Sequence, residues 1–382
     1  MTSRSAPDDT KTTCPSCHVP VGESEEYCEA CGAELSPTVV TAAAAPAGEN
    51  GGTPAAEAAR GPTRQDTDLT GTASTCPACG GEVADDGYCG TCGARAPKRR
   101  DHFSEQPAPW VAAVCDRGLR HTRNEDAVAV SAGASQGSHA VLVVCDGVSS
   151  STDSDLASLA AARAARDVLA SSHSRGIGAE ISQIAAIVAR LGAAADAASD
   201  AVLEVTRNAK ASPATDVAGA DVSLSSASCT FVAAVLEQDL LVVGSVGDSR
   251  AYWIPDVGEA TALTLDDSFA QMQITAGVPR AEAESGPRSH AITRWLGADA
   301  PDHKPATASR TLAEPGWLLV CSDGLWNYAS PAQDLADLVR KTSNTPTVGT
   351  QPLALAEALV SWAKAQGGLD NISAALARIQ PG

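Results

Sequence analysis

HAVLVVCDG, residues 139–147, decides how this chain folds. Ala140 to Cys145 are all apolar, three of them are valines, and the run stops at an Asp-Gly pair. A short apolar run rich in β-branched residues and closed by a turn signal reads as a strand. The same form recurs at WVAAVCD (110–116), DAVAVSA (126–132), CTFVAAVLE (229–237), LLVVGSVGD (240–248), RAYWI (250–254), WLLVCSDG (317–324) and NISAALARI (371–379). Helical periodicity intervenes at about 154–171, 179–209, 332–341 and 352–366. Strands gathered first and last, with helices between them and no regular βαβ alternation, predict an α+β sandwich. Cys115, Cys145, Cys229 and Cys321 fall inside these strands and read as small buried hydrophobes.

The chemistry sits where the strands stop. Asp146 and Gly147 of VCDG, Asp248 of VGDSR, Asp323 of CSDGLW and Asp370 of LDNIS each border a strongly apolar run. A carboxylate has no reason to enter such a region without a partner. One Asp-Gly after a strand is an ordinary turn signal, but strand ends converge on one edge of a sandwich, and several together point to a shared site. Oxygen ligands with no histidine among them select a hard cation, Mg²⁺ or Mn²⁺.

The first hundred residues are different. They hold eight of the twelve cysteines, as Cys14, Cys17, Cys28 and Cys31 and then Cys76, Cys79, Cys89 and Cys92. Each quartet is two C-x-x-C knuckles about ten residues apart, the spacing of a tetrahedral zinc site, so each resembles a zinc ribbon with one structural Zn²⁺. The expected organisation is a ribbon over 1–35, a flexible linker over 36–73, a second ribbon over 74–96, a short linker over 97–108 and a large domain over 109–382. Breakers and the lack of a hydrophobic period make 36–73 a mobile tether, leaving the ribbons remote from any active site. Lys98, Arg99 and Arg100 read as a solvated linker end.

Net charge is −19, from 27 basic and 46 acidic residues, and both parts of the chain are acidic. That works against nonspecific binding to nucleic acid or anionic membrane, so the ribbons are expected to recruit a protein partner. No run of 18 apolar residues occurs, and MTSRSAPDDT lacks the apolar centre of a signal peptide. The expectation is a cytoplasmic protein with no membrane span.

Seven stretches appear in order: DRGLRHTRNED, VCDGVSS, VGDSRAY, LTLDDS, ITRWLG, LLVCSDGLW and DNISAALARI. Over residues 110–380 the chain resembles the protein phosphatase 2C family, the metal-dependent serine/threonine phosphatases also called PPM. The resemblance implies a four-layer α-β-β-α sandwich and hydrolysis of phosphoserine and phosphothreonine in proteins, often kinase targets, by a metal-activated hydroxide at a binuclear Mn/Mg centre. Asp146 would bridge two ions, with the Gly147 carbonyl on the first and Asp323 and Asp370 on the second. Asp126 would orient water, and Asp248 with Asp323 matches positions of a third, weaker ion. Asn371 would brace the site.

Three departures stand out. Val148 stands where some relatives have a histidine, and Asp267 and the GPRSH stretch (286–290) replace other usual residues with expected effects on loop structure. His121 occupies the position of an arginine that clamps the substrate phosphate, so His121, Arg123 and Arg120 are the candidate phosphate ligands; on a regular strand 121 and 123 would share a face. The rival reading is a pseudophosphatase, a scaffold that binds phosphoprotein without turnover.

Overall fold

The computed structural model describes residues 63–64, 68–69, 71–171, 180–211, 226–286 and 288–381. The first cysteine quartet, Cys14 to Cys31, lies outside the described residues. The first half of the fold comprises β1 (Thr63–Arg64), β2 (His102–Ala108), β3 (Val111–Asp116), β4 (Ala127–Ala132), β5 (His139–Cys145), α1 (Ser154–Ala170) and α2 (Glu180–Ala211). Next come β6 (Ser228–Cys229), β7 (Phe231–Glu237), β8 (Leu240–Val246), β9 (Arg250–Pro255), β10 (Thr261–Ala262), α3 (Phe269–Thr275) and α4 (Arg280–Glu284). The chain continues through β11 (Leu296–Gly297), β12 (Ala306–Thr311), β13 (Gly316–Cys321), α5 (Asp323–Trp326), α6 (Ala332–Ser343), α7 (Pro352–Gln366) and β14 (Ile372–Ile379).

Among the described residues two six-stranded antiparallel sheets form, in the orders β1-β4-β5-β7-β8-β12 and β10-β9-β13-β14-β3-β2. The most apolar runs take the central places: β5 lies between β4 and β7, and β13 between β9 and β14. Leu142 and Val144 of β5 meet Leu318 and Val320 of β13 in the core between the sheets. On the far side of the first sheet, Val141 and Val143 pack against Ala161 and Leu169 of α1 and Leu191 and Ala198 of α2. On the far side of the second, Leu319 and Leu376 pack against Leu335 of α6 and Leu359 of α7. Both faces of each sheet are covered, which is why the central strands lack polar alternation. This is the expected four-layer α-β-β-α sandwich, and Cys115, Cys145, Cys229 and Cys321 are all fully buried in it. Helix α2 has the length and composition to cross a membrane over Glu180–Ala209, yet its Ile187–Leu191–Ala198 face is core.

Register then fixes the site. Ala127 pairs with Cys145 in the first sheet, while Cys321 pairs with both Ala374 and Arg250, and Asp116 with Ile372, in the second. The ends of β3, β5 and β13 and the starts of β4, β9 and β14 therefore come to one edge within each sheet.

The N-terminal boundary differs from expectation. Residues 102–108, taken as part of a short linker, form β2 and pair with β3. Thr63–Arg64, within the stretch taken as a mobile tether, pairs with Ser131 and Ala132 at a sheet edge. Nor is the second cysteine module separately tethered: its Arg95 guanidinium donates to the Thr122 carbonyl at 3.3 Å. Arg100 is not a solvated linker end. Its guanidinium donates to the carbonyls of Asn124 and Asp126 at 3.0 Å.

Candidate active site

Asp126, Asp146, Asp248, Asp323 and Asp370 all come to the shared edge, each placed by the end of a buried strand. Asp126 is fully buried and Asp248 and Asp323 nearly so. Burial pushes the Asp146 and Asp248 carboxyls well above the usual range, and neighbouring carboxylates add to it: Asp126, Asp323 and Asp370 for Asp146, Asp323 and Asp266 for Asp248. Asp323 is raised to about 6 by burial and by Asp370, against hydrogen bonds with Asp146 and Asn327. Asp126 rises to about 7, first from burial, although the hydroxyls of Ser322 and Ser373 donate to its Oδ2 at 2.6 and 2.8 Å. Its Oδ1 and the Oδ1 of Asp323 are buried without a hydrogen-bond partner. Converging acids that repel one another and carry orphaned acceptor oxygens are chemically suited to cations. Among the described residues the acids do not form a trio with all donor atoms within 4.8 Å. They spread more widely than the coordination sphere of one ion.

Backbone around the acids is fixed by close approach. A Cβ on Gly147 would stand 2.7 Å from the Glu125 carbonyl and 2.8 Å from that of Ser154, so only glycine lets this main chain pass. Gly118, at φ +71°, is pressed against the Asp370 carbonyl in the same way. Asn371 braces as expected: its Oδ1 accepts from Glu125 N–H at 2.7 Å and its Nδ2 donates to the carbonyls of Arg117 and Arg123.

The segment 117–126 is a loop rather than a strand, so alternation does not govern which way its side chains face. His121 stands between two carboxylates, Nε2 3.3 Å from Asp370 and Nδ1 3.5 Å from Glu125. Arg123 is engaged elsewhere, donating to Glu125 at 2.7 Å and to Ser154 Oγ at 3.0 Å. Arg120 is exposed. A cleft of about 510 Å³ opens beside Asp248, Asp323 and Asp370 and is also lined by Gln271, His290 and Tyr328. His290 thus faces the cleft, whereas the substitution at Asp267 is structural: its Oδ2 accepts from Gly247 N–H at 3.0 Å and it pairs with Arg294.

Several contributors were not readable in advance. Ser322, Ser373, Glu125 and Arg100 hold Asp126 and its loop through side chains whose partners are far away in sequence. Ser322 and Ser373 did carry a signal, a small hydroxyl residue next to or shortly after a strand-end acid in CSDG and DNIS.

In the second cysteine module the sulfurs of Cys76, Cys79, Cys89 and Cys92 lie within 4.8 Å of one another. Individual separations are 3.4 Å for Cys79 and Cys92, 3.5 Å for Cys79 and Cys89, and 3.7 Å for Cys76 and Cys92. Tetrahedral Zn²⁺ with Zn–S near 2.3 Å needs about 3.8 Å between sulfurs. Backbone N–H groups of Cys92 and Thr91 pull the Cys89 thiol down to about 6. Cys79 goes up to about 12: the Gly81 N–H works to lower it, but its neighbours Cys92 and Cys89 prevail. The donor set fits a thiophilic cation.

Residues 118–362 match the protein phosphatase 2C family. A serine/threonine phosphatase of Listeria welshimeri is 27% identical over 160 residues, 42% of this chain and 60% of that protein. The protein phosphatase PhpP of Streptococcus pneumoniae is 34% identical over 136 residues, 35% of this chain and 51% of PhpP. The chain thus spans about half to 60% of the curated relatives it matches. Among solved structures, the Mycobacterium tuberculosis serine/threonine phosphatase PstP/Ppp is 26% identical with TM-score 0.52 over 71% of this chain and 98% of that one. The PstP catalytic domain in complex with two manganese ions gives 24% identity and TM-score 0.51 at the same coverage. The family match takes in Asp126, Asp146, Asp248 and Asp323, stops short of Asp370, and spans more than half of the residues, and the chain belongs to the protein phosphatase 2C family.

Proposed function

We propose that the chain removes phosphate from phosphoserine and phosphothreonine in protein substrates, at a pair of Mn²⁺ or Mg²⁺ ions on the acidic edge. The observation that carries this reading is the convergence of buried, mutually repelling carboxylates with orphaned oxygens beside an open cleft. Asp146, the Gly147 carbonyl, Asp323 and Asp370 would hold the ions, and Asp248 with Asp323 a third, weaker one. Two manganese ions in the similarly folded PstP domain support the metal class. When bound, such ions supply an activated water and neutralise charge on the phosphoryl oxygens.

This chain's own side chains do the rest. Asp126, held by Ser322 and Ser373, presents its free Oδ1 to orient the attacking water. His121, next to Asp370, is placed to receive the phosphate, with exposed Arg120 in reserve. Arg123 supports the loop through Glu125, so its phosphate role is the weaker one. In-line geometry, set by these positions, carries most of the rate. Each cysteine quartet would hold one Zn²⁺, and their eight thiols suit a reducing cytoplasm, where a protein partner would meet the first module.

The test is hydrolysis of p-nitrophenyl phosphate and of phosphopeptides with and without Mn²⁺. Asp146→Ala and Asp370→Ala should each lower kcat more than about 100-fold, since a lost carboxylate leaves the cations short of ligands. Full activity after exhaustive chelation overturns the reading, and Mn²⁺ binding without turnover favours the scaffold alternative.

A further inference from the structure

The second cysteine module and the acidic edge are joined by one short turn, Lys98–Asp101, tied to both. On the module side, Arg99 N–H donates to the Gly71 carbonyl at 3.1 Å and Ala73 N–H to the Pro97 carbonyl at 3.1 Å. The turn closes on itself through Lys98 N–H and Asp101 Oδ2 at 3.0 Å. On the other side Arg100 reaches into the catalytic unit. Its guanidinium donates to the carbonyls of Asn124 (3.0 Å), Asp126 (3.0 Å) and Asp155 (2.5 Å) and to Ser158 Oγ at 3.2 Å. Asn124 answers, donating from Nδ2 to the Arg100 carbonyl at 2.9 Å, and Arg117 N–H donates to the Asp101 carbonyl at 2.8 Å. One planar fork thus bolts the loop carrying Asp126 to the first turn of α1, a task that a lysine point charge does poorly. A second link is the bond from Arg95, three residues beyond Cys92, to the Thr122 carbonyl.

The module itself has almost nothing apolar to hold it. Of residues 71–97 only Cys76, Cys89 and Ala96 are buried. A unit with no core folds on its metal, and loses its shape when the thiols are empty. We propose that the metal-loaded second module anchors the Lys98–Asp101 turn, making Arg100 a positioning residue that fixes the main chain on both sides of Asp126. The module is then a component of the catalytic unit, and occupancy of its four thiols sets how well the acidic edge is formed. This rests on the phosphatase and zinc readings above.

The experiment uses the full chain and four variants: Arg100→Ala, Arg100→Lys, Cys79→Ser with Cys92→Ser, and that pair combined with Arg100→Ala. Zinc content, circular dichroism, Mn²⁺ titration followed by electron paramagnetic resonance, and steady-state kinetics on p-nitrophenyl phosphate are measured for each. Arg100→Ala and the cysteine pair should each lower kcat about 10- to 100-fold and weaken Mn²⁺ binding, with KM changing less than about threefold. Arg100→Lys should recover only part of the loss. Because both lesions break one link, the combined variant should be no more than about twofold worse than the worse parent. A cysteine variant that has lost zinc, stays folded and keeps kcat and Mn²⁺ affinity within twofold of the original chain overturns the proposal. If that variant unfolds, Arg100→Ala decides: original kcat and Mn²⁺ affinity there overturn it equally. Should the unaltered chain bind Mn²⁺ without hydrolysis, the phosphatase reading fails while the Mn²⁺ titrations still judge the coupling.

Discussion

His121 stands where the family resemblance calls for an arginine, and its surroundings say what the exchange does. Its ring is held between Asp370 and Glu125 at 3.3 and 3.5 Å, so a phosphate arriving there meets one imidazole beside two carboxylates. Arginine would bring a permanent charge and a two-pronged donor to the same place. His121→Arg should therefore lower KM for p-nitrophenyl phosphate, by about three- to tenfold for one added charge-assisted bond, and His121→Ala should raise it. Steady-state KM for both variants, at constant Mn²⁺, checks this. If neither departs from the original, the phosphate role passes to Arg120, because Arg123 is already spanned between Glu125 and Ser154.

At the scale of elements, the loop between β3 and β4 is held at its start by Asp116. Its Oδ1 accepts from Gly118 N–H at 2.8 Å, while its Oδ2 accepts from Lys364 of α7 at 2.9 Å and pairs with His102 of β2 at 2.8 Å. The hydrogen bond to Asp116 raises the His102 imidazole above 6.5, against partial burial. Asp116 is itself lowered, its bonds to His102 and Lys364 overcoming burial. A raised histidine stabilises fully below its unfolded value near 6.5 and loses that contribution as pH rises through the folded value. The lowered carboxyl contributes above its unfolded value near 4 and loses it as pH falls further. The pair is thus at full strength between about pH 4 and 6.5. His102→Gln should lower Tm by about 1–2 °C at pH 5.5, a small effect because the ring is half exposed, and by less at pH 8.5. Equal shifts at both values would remove the pair from the account.

Central strands such as β5 and β13 are covered on both faces, so their apolar runs announce them, and α1, α2, α6 and α7 carry the matching period. Among the described residues, strands β2 (HFSEQPA) and β12 (ATASRT) have only one strand neighbour and exposed positions, hence no apolar run to read. The strand-end acids were legible because a carboxylate contradicts its apolar context. Arg100 was not: an arginine inserted between Asp126 and Asp155 reads like a solvated one until residues distant in sequence are brought to it.

Over the whole molecule, the acidic edge sets function against stability. Burial and mutual repulsion lift Asp126 to about 7 and Asp323 to about 6, and carry Asp146 and Asp248 well up. In the metal-free chain these groups hold protons that the unfolded chain has released between about pH 4 and 7, so stability falls as pH rises through that window. Cations held as proposed would take the deprotonated acids, and their stabilisation would grow in the same direction. Added Mn²⁺ at about 100 times its Kd at pH 8 should stabilise by about 2.7 kcal/mol there, a Tm gain of about 5–10 °C, and the same concentration should stabilise by clearly less at pH 5.5. Asp146→Asn supplies the complementary arm. It removes one repelling charge from the edge, so the metal-free variant at pH 8 should melt higher than the original chain, while its gain on adding Mn²⁺ should largely vanish. Thermal melts of both proteins with Mn²⁺ or chelator at the two pH values decide it. A variant that melts lower without metal, or a Mn²⁺ gain independent of pH, would mean that repulsion among these carboxylates is not what the cations relieve.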